Sequence, residues 1–168
     1  ILTWAVEEYG LDGIDFDDEW TIFGENANFP TSVPGSFNGL IAHLRDSLDA
    51  HFPNDHKLIT AYHYNDATNL SSAAVGDMDF AWTVGFGPYL YTSPSSPWTN
   101  AKWSAQMPNM YQTYNSITLN QIKTRSAQSK NDGMGAIAGY DMRVHTERDP
   151  LPALQKIGEG AFNGTVTR

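Results

Sequence analysis

Residues 11–20, LDGIDFDDEW, interleave acidic with apolar side chains, and this pattern constrains the fold more than any other feature of the chain. In an extended strand successive side chains point to opposite faces, so Asp15, Asp17 and Glu19 would line one face. The apolar residues between the first acids would pack on the other face. The stretch therefore predicts a β-strand that turns one side to a core and carries a row of three acids on the other.

The spacing of this acidic row suits proton transfer. A strand rises about 3.3 Å per residue, so neighbouring acids of the row stand about 6–7 Å apart. Like charges at that separation resist ionising together where water is scarce. We therefore expect one proton to stay on the row near neutral pH. General acid catalysis needs this arrangement, a protonated carboxyl group beside a charged one.

Acidic clusters are also typical of solvated loops and of calcium sites, whose ligands are spaced two residues apart. Here Leu11, Ile14 and Phe16 lie among the acids, and Gly13 lies inside the run. A calcium loop of the EF-hand type instead has its glycine after the third acid and ends on a distant Glu. These differences favour the strand, and the chemistry expected of it requires no metal and no cofactor.

The acids Asp12, Asp15, Asp17 and Glu19 match the DxxDxDxE signature of family 18 glycoside hydrolases, and the chain resembles this family of chitinases and endo-β-N-acetylglucosaminidases. The wider run 9–19 resembles the endo-β-N-acetylglucosaminidases of the Endo H type in particular. The resemblance implies a (β/α)8 TIM barrel in which the motif lies on the fourth strand, with its last Glu at the carboxyl end.

Length and motif position together bound the part of the barrel that the chain can form. A complete barrel takes about 250 residues, whereas this chain has 168. The motif also begins at residue 12, where three preceding strand–helix units would be expected. We therefore expect an α/β fold that is the C-terminal part, about strands 4 to 8, of a (β/α)8 TIM barrel. Residues 1–168 would be a partial catalytic domain whose N-terminal strands are missing.

The rest of the sequence predicts strands and helices in alternation, the pattern of a parallel barrel half. The predicted elements are a helix that stops at Gly10, the acidic strand, a helix over 36–52, a strand over 57–64, a short helix or turn over 69–76, a strand over 78–84, a long loop over 85–101, a strand over 102–107, a helix over 117–130, a strand over 134–140 and a helix over 150–158.

Composition excludes several classes of partner. A net charge of -9 disfavours nucleic acids and anionic membranes, which demand patches of Lys and Arg. The absence of cysteine excludes disulfides, thiolate metal sites and a Cys nucleophile. No apolar run approaches the roughly 20 residues that span a bilayer. The five histidines show no metal-ligand spacing. A neutral carbohydrate is compatible with all of these features.

The family resemblance implies retaining hydrolysis in which the substrate's own acetamido oxygen attacks the anomeric carbon. Glu19 would protonate the departing glycosidic oxygen and later deprotonate water. Asp17 would hold the acetamido N–H, and Asp15 would tune Asp17 through a shared proton or hydrogen bond. A purely structural, hydrogen-bonded role for Asp15 stays open. Asp12 would lie on the opposite strand face and act structurally.

Aromatic residues at predicted strand ends are candidates for sugar binding, because the C–H faces of sugars stack on rings. Trp82 and Tyr140 would line the floor and the wall of a sugar-binding subsite, and Tyr62 is a further candidate. The alternative for each of these residues is packing in the barrel core. Chitinases of the family usually carry Met-x-Tyr-Asp on the sixth strand, where this chain has Phe80-Ala81-Trp82-Thr83. Thr83 also replaces the amide residue expected in the Endo H type, which leaves the contact to the acetamido group open.

We expect an endo-β-N-acetylglucosaminidase that cleaves the GlcNAc-β-1,4-GlcNAc core of N-linked glycans, with an N-glycan or glycoprotein as its partner. The alternative is a chitinase, and a third is an inactive lectin or inhibitor of the same family. Inactive members typically lose the terminal Glu of the motif, which this chain retains as Glu19. The complete protein is expected to be secreted and monomeric, and sequons at Asn69 and Asn163 are compatible with secretion.

Overall fold

The computed structural model describes residues 1–17, 36–63, 69–82, 94–109, 118–140 and 151–164. These residues divide into two compact units, each considered by itself. Among the described residues, the first unit contains three α-helices and three strands, and the second contains two α-helices, two strands and a short 3-10 helix. No described helix combines the length and the apolar character that crossing a bilayer requires.

The first unit alternates helices with parallel strands, as predicted. Its strands form one sheet in the order β1-β2-β3, and both neighbouring pairs are parallel. Its elements are α1 (Leu2–Tyr9), β1 (Gly13–Phe16), α2 (Ser36–His51), β2 (Leu58–Tyr62), α3 (Ser72–Asp77) and β3 (Phe80–Trp82). β1 ends earlier than the acidic row, so the strand carries Asp15 while Asp17 follows it directly.

The turn from α1 into β1 has a local cause. Gly10 ends the helix in the left-handed conformation, with φ 61°, which glycine adopts without steric cost. The N–H of Leu11 donates to the carbonyl of Val6 at 2.9 Å and so satisfies one of the last helical carbonyls. The predicted stop at Gly10 is confirmed, and it sends the chain directly into the acidic strand.

The apolar side of the sheet is covered by α2, whose helical periodicity is confirmed. Phe37, Ile41, Leu44 and Leu48 recur on one face of α2, and each is at most 4% exposed. Phe16 of β1 meets Phe37 edge to face, with ring centroids 5.4 Å apart. The even-numbered side chains of β1 therefore face the core, which places the odd-numbered acids on the opposite side of the sheet.

A polar network ties together the amino ends of β2 and β3. The carboxylate of Asp79, just before β3, accepts the backbone N–H of Ile59 at 2.8 Å and contacts His56 Nε2 at 2.7 Å. Arg45 of α2, itself buried, donates to the carbonyl of Lys57 at 2.8 Å. These contacts join helix, loop and strands at the end of the sheet away from the acidic row.

The second unit is also built from parallel strands and helices. β4 and β5 are parallel, with a register irregularity between Gln106 and Asn109. Its core brings Ala105 and Ile122 together with partly buried apolar residues of β5 and α5. Its elements are a short 3-10 helix (Asn100–Lys102), β4 (Ser104–Asn109), α4 (Leu119–Asn131), β5 (Ala136–Tyr140) and α5 (Leu151–Phe162).

The start of α4 is set by a capping box. The hydroxyl of Thr118 accepts the N–H of Gln121 at 3.2 Å, and the side chain of Gln121 accepts the N–H of Thr118 at 2.8 Å. Two donors that the helix cannot satisfy internally are thus paired reciprocally. The predicted helix at this position is confirmed, with its ends shifted by one or two residues.

Candidate active site

The carboxyl ends of β1, β2 and β3 meet at one edge of the first sheet, because all three strands are parallel. In the register of the sheet Asp15 is paired with Thr60, and Tyr62 is paired with Trp82. Side chains of paired residues in a parallel sheet point to the same face. The predicted residues Asp15, Tyr62 and Trp82 therefore share the face opposite α2.

The carboxylate of Asp15 is held by two donors. The hydroxyl of Thr60 donates to Oδ1 of Asp15 at 2.5 Å, and the indole N–H of Trp82 donates to the same oxygen at 2.7 Å. Hydrogen bonds to a charged acceptor are shorter and stronger than those between neutral groups. A carboxylate on β1 is thus fixed by side chains from both other strands of the sheet.

Trp82 makes a polar contact that the sequence did not predict. Its indole N–H is engaged by Asp15, and its ring lies 6.3 Å from that of Phe80, tilted by 40°. The side chain is half-buried, so part of the ring remains accessible. Stacking on a sugar stays a prediction for Trp82, to which the structure adds a polar contact with the acidic row.

Of the other two acids of the row, the structure describes only Asp17. Asp17 is exposed and follows the end of β1. Glu19 lies outside the described residues, so its role as the acid stays a prediction. The predicted coupling of Asp15 with Asp17 also stays a prediction; Asp15 instead shows bonds to Thr60 and Trp82.

The structure describes the other two aromatic candidates to different extents. Tyr62 is half-buried at the end of β2, beside Trp82 in the sheet. Tyr140 ends β5 in the second unit, as predicted for a strand terminus, while its side chain lies outside the described part of the chain. Thr83, whose contact to the acetamido group the sequence left open, also lies outside the described residues.

Thr60 is the site residue that sequence reasoning missed. It lies inside an apolar strand, and no local motif distinguishes it. A signal did exist, since a hydroxyl in an otherwise apolar, buried strand must find a hydrogen-bond partner. Its partner could not be named, because the pairing of Thr60 with Asp15 depends on the register between β1 and β2.

A buried aromatic contact closes the end of β2. The ring of His63 meets Trp98 edge to face at 5.9 Å, and Trp98 is 5% exposed. Burial lowers the pKa of the His63 imidazole below its ordinary value of 6.5, against a smaller opposite effect of a backbone hydrogen bond. Trp98 therefore covers a strand end, and His63 is a neutral packing residue near neutral pH.

The described part of the site contains no cluster of side chains that could bind a metal ion. Within the described ranges, no group of three or more His, Asp or Glu side chains is arranged to hold a cation. Asp15 and Asp17 are both exposed, and the carboxylate of Asp15 is held by a hydroxyl and an indole. Exposed carboxylate oxygens can accept hydrogen bonds from a polar neutral ligand.

Comparison with known proteins agrees with this class of site. No family model matches the chain. A curated protein of Flavobacterium sp., named endo-beta-N-acetylglucosaminidase, is 32% identical over 143 residues, which are 82% of this chain. The match covers 41% of that relative, so the chain spans less than half of its length.

Solved structures show the same fold. The cell-surface-expressed, multi-modular chitinase ChiW of Paenibacillus sp. superposes with a TM-score of 0.62 at 10% identity, covering 94% of this chain and 29% of that one. The family 18 chitinase ChiB of Flavobacterium johnsoniae superposes with a TM-score of 0.53 at 17% identity, covering 94% and 60%. With the curated relative, these neighbours confirm the predicted resemblance to family 18 glycoside hydrolases.

Proposed function

We propose that this chain is part of an endo-β-N-acetylglucosaminidase that hydrolyses the GlcNAc-β-1,4-GlcNAc core of N-linked glycans. The observation that carries the proposal is the 32% identity to a protein of that name, in a chain that retains every acid of the motif. The two chitinase neighbours support the fold alone, because their identities are 10% and 17%.

The proposed mechanism is retaining and substrate-assisted. Glu19 donates a proton to the departing glycosidic oxygen, while the carbonyl oxygen of the substrate's acetamido group attacks the anomeric carbon. The carboxylate that this leaves on Glu19 then takes a proton from the water that opens the intermediate. Asp17 accepts the acetamido N–H and offsets the positive charge of the intermediate, and Asp15 supports Asp17.

The proposed fold is about strands 4 to 8 of a (β/α)8 barrel, with β1 as the fourth strand. The parallel order β1-β2-β3 and the position of the acids at the carboxyl end of β1 support this, since barrel enzymes have their active sites at that end of the strands. Under this proposal residues 1–168 are a partial catalytic domain, and the remaining strands come from elsewhere in the protein.

The same proposal extends to the location of the protein, its partner and its oligomeric state. A glycoprotein substrate and the description of one structural neighbour as cell-surface-expressed support a secreted location. A net charge of -9 supports a neutral glycan rather than nucleic acid as the partner. Tyr62, Trp82 and Tyr140 are proposed to contact the glycan, and the complete protein is proposed to act as a monomer.

The substrate is tested with the complete protein. It is incubated with a high-mannose glycoprotein and, separately, with chitooligosaccharides, and the products are analysed by mass spectrometry. Release of glycans that end in a single N-acetylglucosamine supports the proposal. Cleavage of chitooligosaccharides alone would replace it with a chitinase, and binding without cleavage of either substrate would indicate a lectin.

The acid is tested by Glu19→Gln, which keeps the shape of the side chain and removes its proton. We expect turnover to fall by at least about 10²-fold, the usual contribution of a positioned acid, while binding of the glycan persists. Glu8→Gln on the exposed face of α1 makes the same chemical change away from the row and should leave turnover unchanged. Substantial turnover by the Glu19 variant would remove it as the acid.

A further inference from the structure

Two donors converge on a single oxygen of Asp15. Thr60 belongs to β2, the neighbour of β1, whereas Trp82 belongs to β3, two strands away from Asp15 in the sheet. Both donate to Oδ1, at 2.5 and 2.7 Å. The bulky indole therefore reaches across β2 to the acidic strand, and the three strands are linked through one carboxylate.

The chemistry of these donors constrains the orientation of the Asp15 carboxylate. An indole nitrogen can only donate a hydrogen bond, so its contact with Oδ1 requires an acceptor there. The hydroxyl of Thr60 donates to the same atom. The two donors therefore fix the side chain of Asp15 through one oxygen, and neither of them engages Oδ2.

The position of the indole is itself braced. Trp82 is paired with Tyr62 in the sheet, and its ring lies against Phe80 on the same strand. Phe80 in turn is the register partner of Thr60. Both donors thus stand on paired, parallel backbone rather than on a loop, which limits the directions from which they can approach Asp15.

We infer that Thr60 and Trp82 are positioning residues that hold the carboxylate of Asp15 in one orientation through Oδ1, so that Oδ2 stays available to the acidic row. The effect on catalysis rests on the proposed function, whereas the orientation of Asp15 does not. Trp82 then acts through its N–H on the acidic row, in addition to any stacking of its ring on a sugar.

The catalytic arm of the test removes each donor with little change of shape. In the complete protein, Thr60→Val deletes the hydroxyl and Trp82→Phe keeps a ring without the N–H. Loss of a hydrogen bond to a charged group corresponds to roughly a tenfold effect or more, so we expect kcat to fall about tenfold in each variant with KM little changed.

Three further variants separate positioning from packing. Thr60→Ser keeps the hydroxyl and should retain most of kcat. Thr124→Val removes a hydroxyl that donates to the Asn120 carbonyl of its own helix, and Trp4→Phe alters an exposed indole on α1. Both should leave kcat unchanged.

A spectroscopic arm does not need activity. The five tryptophans can be labelled with ¹⁵N, and the indole resonance of Trp82 identified by its loss in Trp82→Phe. We expect this resonance to move in Asp15→Asn, because the indole N–H then meets a neutral acceptor in place of a carboxylate. Glu8→Gln removes a carboxylate from the exposed face of α1 and should leave the resonance in place.

The two arms distinguish failure of the inference from failure of the proposed function. A Trp82 indole resonance that stays in place in Asp15→Asn would overturn the inference, whatever the activity. Raised KM with an unchanged kcat in Trp82→Phe would also overturn it, because that result indicates stacking alone. Absence of all hydrolysis in the parent protein would remove the proposed function and leave the spectroscopic result to decide the orientation of Asp15.

Discussion

Gly13 allows the acidic strand to lie close to β2. A Cβ built on Gly13 would stand 2.1 Å from the carbonyl oxygen and 2.6 Å from the nitrogen of Leu58, both backbone atoms that cannot turn aside. Gly13 and Leu58 are register partners, two positions before the pair of Asp15 and Thr60. The absence of a side chain at position 13 is therefore a condition for the contact that holds Asp15.

Gly13→Ala should lower the free energy of unfolding by about 1–3 kcal/mol, the usual cost of overpacking a tight site. The measurement is denaturant unfolding of the variant and its parent. Gly39→Ala is the matched control, because Gly39 lies in α2 with nothing within 4 Å of its built Cβ. There alanine should stabilise by about 0.5–1 kcal/mol through helix propensity. Equal effects at both positions would refute the close approach of β1 and β2.

At the scale of elements, α4 and α5 pack closely through small residues. Gly160 of α5 is buried, and a Cβ there would lie 2.2 Å from the carbonyl oxygen of Lys123 and 2.8 Å from the Cβ of Ser126. Ser126 and Ser129 of α4 are at most 1% exposed, and their hydroxyls bond carbonyls of their own helix. The two helices can therefore touch without leaving those hydroxyls unsatisfied.

Gly160→Ala should destabilise the protein by about 1–3 kcal/mol, because the added methyl meets the backbone of α4 and forces the helices apart. Gly76→Ala in α3 is the control, since a Cβ at that position meets nothing within 4 Å. Thermal and denaturant unfolding of both variants make the comparison. A stabilised Gly160 variant would show that helix propensity outweighs packing at this contact.

At the scale of the whole molecule, His63 makes stability depend on pH. Its folded-state pKa lies below the 6.5 expected of an unfolded chain, because burial against Trp98 disfavours the charged ring. At a pH between the folded-state pKa of His63 and 6.5, the unfolded chain binds more protons than the folded protein. The free energy of unfolding therefore rises with pH in this range, and it decreases as the pH falls from above 6.5 through the same range.

In His63→Gln the free energy of unfolding should decrease less as the pH is lowered from above 6.5, because the variant has no imidazole to protonate at position 63. Unfolding is followed at several pH values above the range in which carboxylates titrate. His43→Gln, at an exposed position of α2, removes a histidine from the surface and should leave the slope close to that of the parent. An unchanged slope in the His63 variant would contradict the role of its burial.

Patterns of consecutive residues were sufficient to predict the α-helices and strands that the structure describes. The apolar stripe of α2, the stop at Gly10 and the acidic strand are confirmed because helical period, left-handed glycine and strand alternation are local properties of the chain. The family resemblance was likewise predicted from one short motif. The ends of elements were less well predicted, as β1 shows by ending at Phe16, before the last acids of the row.

The sequence by itself determined that Asp15 would stand on the strand face opposite the apolar residues, because alternation of side chains needs no partner. Only the tertiary structure decided which groups meet Asp15. Thr60 reaches Asp15 through the register of two strands 45 residues apart, and Trp82 through a strand 67 residues away. Register depends on the packing of distant segments, so no local pattern could assign the two donors to one carboxylate oxygen.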